Sequence, residues 1–195
     1  MDFYANITPG IDLREELDAV LLGRADVTAQ GRHVIMRRMS DTTCAACWDA
    51  VAGGSNRPSC PYCKGEGWQF TETQEVMGVY RGVAPVYKTG VLATGAYPQS
   101  NIGYTDENRA TVYSPVLRPD GSEVYPNYER YTFQTAKNYD KMYELKIDVN
   151  GDIVRDPVTG RYIRTLKWKI LSVVPLHGDN GRIEFFVLDC EKENA

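Results

Sequence analysis

The chain has 195 residues and a mass of 21.9 kDa, the size of one large domain or of a domain carrying a small insertion. Its 43% hydrophobic and 25% charged residues exclude an intrinsically disordered chain. With 22 basic against 26 acidic residues the net charge is −4, which argues against duplex nucleic acid as the main partner but leaves room for a local basic patch. Residues 1–16 carry Asp2, Asp12, Arg14, Glu15 and Glu16 with no apolar core, so no secretory signal is visible. The longest apolar stretches, near 170–176 and 185–188, fall short of the ~20 residues that span a bilayer. These features predict a soluble protein made in a reducing cytoplasm, with no membrane partner.

Residues 11–22 read as a helix. Asp12 is the expected N-cap with Glu15 three residues on, Leu13, Leu17, Val20 and Leu21 recur at helical spacing, and Gly23 supplies the stop. Residues 31–39 then read as a strand leading directly to the most informative feature of the chain.

Four of the five cysteines form two pairs, Cys44-Ala-Ala-Cys47 and Cys60-Pro-Tyr-Cys63. A C-x-x-C turn brings two thiolates to one ion, and two such turns complete the tetrahedron zinc prefers. The glycines of Lys64-Gly65-Glu66-Gly67 allow positive φ and let backbone N–H groups face the sulfurs. The pattern predicts a zinc site; two disulfides, a redox pair or ordinary thiols are the competing explanations. Four thiolates close the coordination shell, so the zinc is expected to be structural rather than catalytic. Arg57 and Lys64 lie within the module and would offset part of its charge, and Cys190 is expected to be a small buried hydrophobe.

Beyond residue 70 the chain is a series of short β signals, at 76–83, 86–94, 109–117, 130–134, 142–149, 153–155, 162–176 and 182–190. Pro119-Asp120-Gly121, Asn150-Gly151, 156–160 and 177–181 are turn sequences between them. The expected fold is therefore mainly β: a small β-barrel or sandwich with an N-terminal helix and an inserted zinc-ribbon-like module. The expected organisation is 1–40 for the helix and first strand, 41–70 for the zinc clasp, and 71–195 for the barrel, with long loops at 94–140. The last strand, apolar on both faces in places, is expected to be central.

No catalytic set emerges, and the protein is expected not to be an enzyme. Asp148-Val-Asn-Gly-Asp152 resembles the start of a calcium loop, but Ile153 stands where that loop needs Gly and Thr159 where it needs Glu, so a hairpin turn is the better explanation. His33 and His177 lie in no nucleophile motif. Arg37 and Arg38 are expected to be solvated or in structural ion pairs. Eight of the thirteen tyrosines fall between Tyr97 and Tyr143, more than strand propensity alone explains. Tyr97, Tyr104, Tyr113, Tyr125 and Tyr128 are therefore candidate interface residues, since Tyr offers a large rigid surface with a polar tip.

The order of these elements carries a resemblance. A leading amphipathic helix, the strand His33-Val-Ile-Met-Arg-Arg38, a C-x-x-C pair followed by Trp48, a Cys-Pro-x-Cys-x-Gly-x-Gly pair ending at Trp68, and a β-rich tail closing on Gly181-Arg-Ile-Glu-Phe-Phe186 together resemble the zinc-clasp virion proteins of tailed bacteriophages. The tail resembles head-closure (stopper) or neck proteins. Chaperone repeats share the Cys-x-x-Cys-x-Gly-x-Gly motif but carry it several times, whereas this chain has one pair of knuckles. The stretch 90–140 matches nothing in that pattern. The resemblance implies a structural component of the head-to-tail connector, made in the host cytoplasm and located in the virion neck. It implies a ring of copies that closes the DNA-filled head, contacts portal or adaptor and tail proteins, and lets DNA pass nearby without sequence-specific binding. The alternatives are a zinc-ribbon nucleic-acid-binding or regulatory protein, which would need a basic face, and a thiol-active enzyme or chaperone using the cysteine pairs.

Overall fold

In β1 (Arg32–Thr43) both faces are covered. Val34 and Met36 are fully buried, and on the opposite face Ile35 and Arg37 are buried too, at 7% and 6% exposed. The reason is architectural. The computed structural model, which describes residues 12–24, 29–82, 106–126, 128, 139–178 and 181–193, places β1 in a closed barrel of antiparallel strands. Its further members are β4 (Trp68–Gly82), β5 (Asp106–Ser114), β6 (Lys141–Leu145), β7 (Arg164–His177) and β8 (Ile183–Lys192). A short separate ribbon pairs β2 (Trp48–Asp49) with β3 (Gly54–Ser55).

The barrel order is β1-β4-β5-β8-β7-β6, closed by pairing of β6 with β1 in the register Ile35↔Tyr143. Closure leaves no exposed sheet edge, which removes a route to aggregation. Alternation sends Met36, Met77, Val112, Trp168, Phe186 and Leu188 into one interior core. Cys190 is fully buried there as the sequence suggests, and burial pushes its thiol well above the ordinary range. β8 lies between β5 and β7, in keeping with its apolar sequence.

Two carboxylates share the interior face. Val34 stands opposite Glu75 on β4 and Glu144 on β6. Neither acid is left without donors, as burial of a charge demands. Glu144 accepts from Trp168 Nε1 at 2.8 Å and pairs with Arg81 at 2.5 Å and Arg32 at 3.3 Å. Glu75 pairs with Arg118 at 2.6 Å and receives the Thr73 hydroxyl at 2.8 Å.

The helix α1 (Leu13–Leu22) starts and stops as the sequence predicts. Asp12 accepts the N–H groups of Arg14 and Glu15, and Gly23 closes the C-terminus with φ 82°. The apolar face is narrower than expected: Ala19 and Leu21 are buried, but Leu13 is exposed. Polar contacts supply the rest of the docking. Arg14 donates to the Ile183 carbonyl, and Arg182 pairs with Asp12 at 2.7 Å, so the helix is fastened across the start of β8.

Several expected boundaries shift. β4 begins at Trp68, a few residues before position 71, and β1, itself a barrel strand, runs past residue 40 to Thr43. β6 ends at Leu145; beyond it the predicted strands 142–149 and 153–155 give way to an arm, residues 146–163, with the bridges Ile147↔Ile153 and Arg155↔Tyr162 and backbone hydrogen bonds such as Lys146 N–H to the Ile163 carbonyl at 2.9 Å. The cause is local turn chemistry. Asp148 Oδ1 accepts the N–H groups of Asn150 and Asp152, which curls the chain tightly and makes this a turn rather than a calcium loop. Ile153 and Tyr162 of the arm pack on Ile35, Tyr143 and Leu145, forming a second small core outside the barrel. The span 94–140 is not all loop, since it contains β5 and a turn bridged at Leu117↔Glu123. The predicted strands 86–94 and 130–134 lie outside the described residues.

Candidate metal centre

The chain that leaves β1 at Thr43 returns in β4 at Trp68, and these two residues are cross-strand partners. Everything between them is therefore the tip of one hairpin. From residue 41 to residue 66 the only buried residues are Cys44, Cys47, Cys60 and Cys63, and they form a cluster of their own with no other hydrophobic member. A segment with no apolar core needs another source of folding free energy, and a metal ion held by four cysteines could supply it.

The geometry fits that role. All four sulfurs lie within 4.8 Å of one another. Cys44 and Cys60 Sγ are 3.9 Å apart and Cys47 and Cys63 Sγ 3.1 Å, too far for the ~2.05 Å of a disulfide. Four thiolates at about 2.3 Å from a tetrahedral zinc would be about 3.8 Å from each other, which the observed separations bracket. The structure thus brings together all four cysteines that the sequence singles out.

Each knuckle is built by its own backbone. In the first, Cys47 and Trp48 N–H donate to the Cys44 carbonyl at 3.2 and 2.9 Å. In the second, Lys64 N–H donates to the Cys60 carbonyl at 2.9 Å and Glu66 N–H to the Cys63 carbonyl at 3.0 Å. The expected amide-to-sulfur contact is present: Gly67 N–H donates to Cys63 Sγ at 3.3 Å. The glycines are needed for this path. Gly65 has φ 87° and a Cβ there would sit 2.4 Å from the Pro58 carbonyl oxygen, while Gly67 has φ 79° beneath the Trp48 ring. Trp48 and Trp68 meet edge to face at 4.9 Å and close one side of the module.

The four thiols are not equivalent. Backbone N–H groups of Cys63 and Tyr62, opposed by burial, pull Cys60 down to about 6. Cys47 is pushed up to about 12: the Ser55 hydroxyl lowers it, but burial and the neighbouring sulfurs outweigh that. Metal ligation requires the thiolate forms, so binding an ion here would release protons.

The residues that join this centre to the barrel are distant in sequence. Glu66 accepts from Arg37 Nη1 at 3.0 Å and from Lys141, which places a clasp carboxylate across β1 and β6. Arg37 also pairs with Glu72 at 2.8 Å and lies over the Phe70 and Tyr143 rings. Arg37 and Arg38 are thus in structural ion pairs, one of the two expectations for them. Their only local signal is an acid directly after a metal knuckle.

Of the candidate interface tyrosines, Tyr97 and Tyr104 lie outside the described residues. Tyr125 is 2% exposed, against Phe186 and under Arg38, so its ring belongs to the core rather than to a surface. Tyr128 also packs on Phe186, and half-buried Tyr113 lies between Tyr80 and Phe185. Burial inside the chain accounts for part of the tyrosine enrichment. His33 is a strand residue of β1, and His177 Nδ1 lies 3.0 Å from the Gly181 carbonyl in a turn. No protein-family model matches the chain, and neither does any curated protein.

Proposed function

We propose that the protein is a structural component of the head-to-tail connector, or neck, of a tailed-bacteriophage virion, with one zinc ion in the four-cysteine clasp. The observation that carries this is the position of the clasp. It forms the tip of the β1–β4 hairpin of a closed six-strand barrel, with a capped helix ahead of β1, in the order the resemblance calls for. A part of this kind needs a rigid body and loops that reach its neighbours. The barrel supplies the first, and the zinc would stiffen a tip that has no apolar core. Four thiolates leave no open coordination position, so the metal serves the fold and not a reaction. Copies of the chain would form a ring that closes the filled head and meets portal or adaptor proteins above and tail proteins below. The net charge of −4 disfavours capture of passing DNA over most of the surface, because like charges repel.

The test is sedimentation of the native protein from its source, with immunoblotting of the fractions. The neck assignment expects it to travel with virion-sized particles at a few copies each. Recovery solely as a small species at the top of the gradient would overturn the assignment in favour of a zinc-dependent nucleic-acid-binding or regulatory protein.

A further inference from the structure

Between the clasp and the 146–163 arm runs an open groove of about 740 Å³. Lys64 enters it from the clasp, Arg37, Glu72 and Arg164 from the barrel, and Arg155 and Arg161 from the arm. Among the described lining residues, five cations thus face a single carboxylate in a chain whose net charge is −4.

The internal pairing does not consume them. Glu72 lies between two guanidiniums, accepting from Arg37 Nε at 2.9 Å and from Arg164 at 3.0 and 2.7 Å. Glu66, the second acid on Arg37, is shared with Lys141. Lys64, Arg155 and Arg161 have no carboxylate partner among the described residues. Arg155 is nevertheless held in place by neutral groups: its guanidinium lies 4.3 Å over the Tyr162 ring and donates to the Tyr162 hydroxyl at 2.8 Å. These contacts position the charge without cancelling it. The neighbouring Asp156 turns Oδ1 to the Val158 and Thr159 amides instead.

We infer that this groove holds the phosphates of a nucleic-acid backbone. The unneutralised groups are cations that only donate, on flexible or ring-supported arms in an open groove, which suits contact with phosphate oxygens. An acidic peptide would need partners for its own backbone as well. The barrel is closed and offers it no strand edge. The inference goes beyond the neck assignment and stands without it, because the groove is the same in a virion part or in a regulatory protein.

The experiment is fluorescence anisotropy of the full zinc-loaded chain with a labelled 20-base-pair DNA duplex at two salt concentrations. Three neutralised phosphates predict that affinity falls about 40-fold between 50 and 200 mM NaCl. The double variant Arg155→Gln/Arg161→Gln should bind more weakly at 50 mM and lose salt sensitivity, its fall shrinking to about fourfold. Both side chains are exposed, so zinc content and far-UV spectrum should be unchanged. Should that variant lose its fold, Arg161→Gln alone gives the same measurement with one charge removed. Absence of binding at 50 mM, variants that bind as the natural chain does, or tighter binding of a decaglutamate peptide than of the duplex would each overturn the inference.

Discussion

Glu66 of the clasp and Arg37 at the middle of β1 form an ion pair of 3.0 Å in which the two side chains are only 15% and 7% exposed. Because Lys141 of β6 holds the other oxygen of Glu66, the metal module is fastened to two adjacent barrel strands by one carboxylate. A pair so buried differs from a surface salt bridge, since losing one partner leaves the other desolvated.

Glu66→Ala should therefore destabilise the protein by about 1–3 kcal/mol, while Arg37 keeps Glu72 as a partner. Urea unfolding of the zinc-loaded variant checks this. The expected result is a lower midpoint with metal content intact; an unchanged midpoint would show that the link carries no stability.

Acid should weaken the fold through Glu72. Burial alone would raise its carboxyl, but hydrogen bonds and charge from Arg164 and Arg37 outweigh that and hold it below the ordinary value of 4.5. A depressed carboxylate contributes stability that is present above its unfolded pKa and is lost as pH falls through its folded one. Glu72→Gln should lower stability at neutral pH and flatten the acid limb below about pH 4.5. Comparing the variant with the natural chain in pH-dependent unfolding isolates Glu72, because protonation of the cysteines affects both alike.

The interior carboxylate Glu144 depends on Trp168. The indole N–H donates at 2.8 Å in a site where Trp168 is fully buried and Glu144 is 2% exposed. Trp168→Phe keeps most of the ring but takes one donor from a buried charge, at a cost of about 1–3 kcal/mol. Trp168→Ala adds a cavity and should cost about 3–5 kcal/mol. Thermal unfolding of the two variants should rank them in that order.

Features written in local chemistry were legible before the structure. The spacing of Cys44, Cys47, Cys60 and Cys63 announced a cluster that could hold a metal, the Asp12 cap and Gly23 bounded the helix, and alternation marked most barrel strands. What was not legible depends on residues distant in sequence. Nothing near Glu66 points to Arg37, 29 residues away, or to Lys141, 75 away. Tyr125 reads as a surface aromatic until the barrel closes and sets Phe186 against it. The groove likewise appears only when Lys64, Arg155 and Arg164 arrive from three separate segments.

A single metal ion held by Cys44, Cys47, Cys60 and Cys63 would close the β1–β4 hairpin. Metal ligation requires the thiolate forms, so acidification or a strong chelator should release the ion and open residues 44–67 while the barrel strands persist. The most direct measurement is metal content per chain by mass spectrometry under native conditions, for the natural protein and for Cys60→Ser. One zinc in the natural chain and loss of it in the variant, with the clasp unfolded, is the predicted result. A natural chain that carries no metal, or whose mass is lowered by formation of two disulfides, would contradict it.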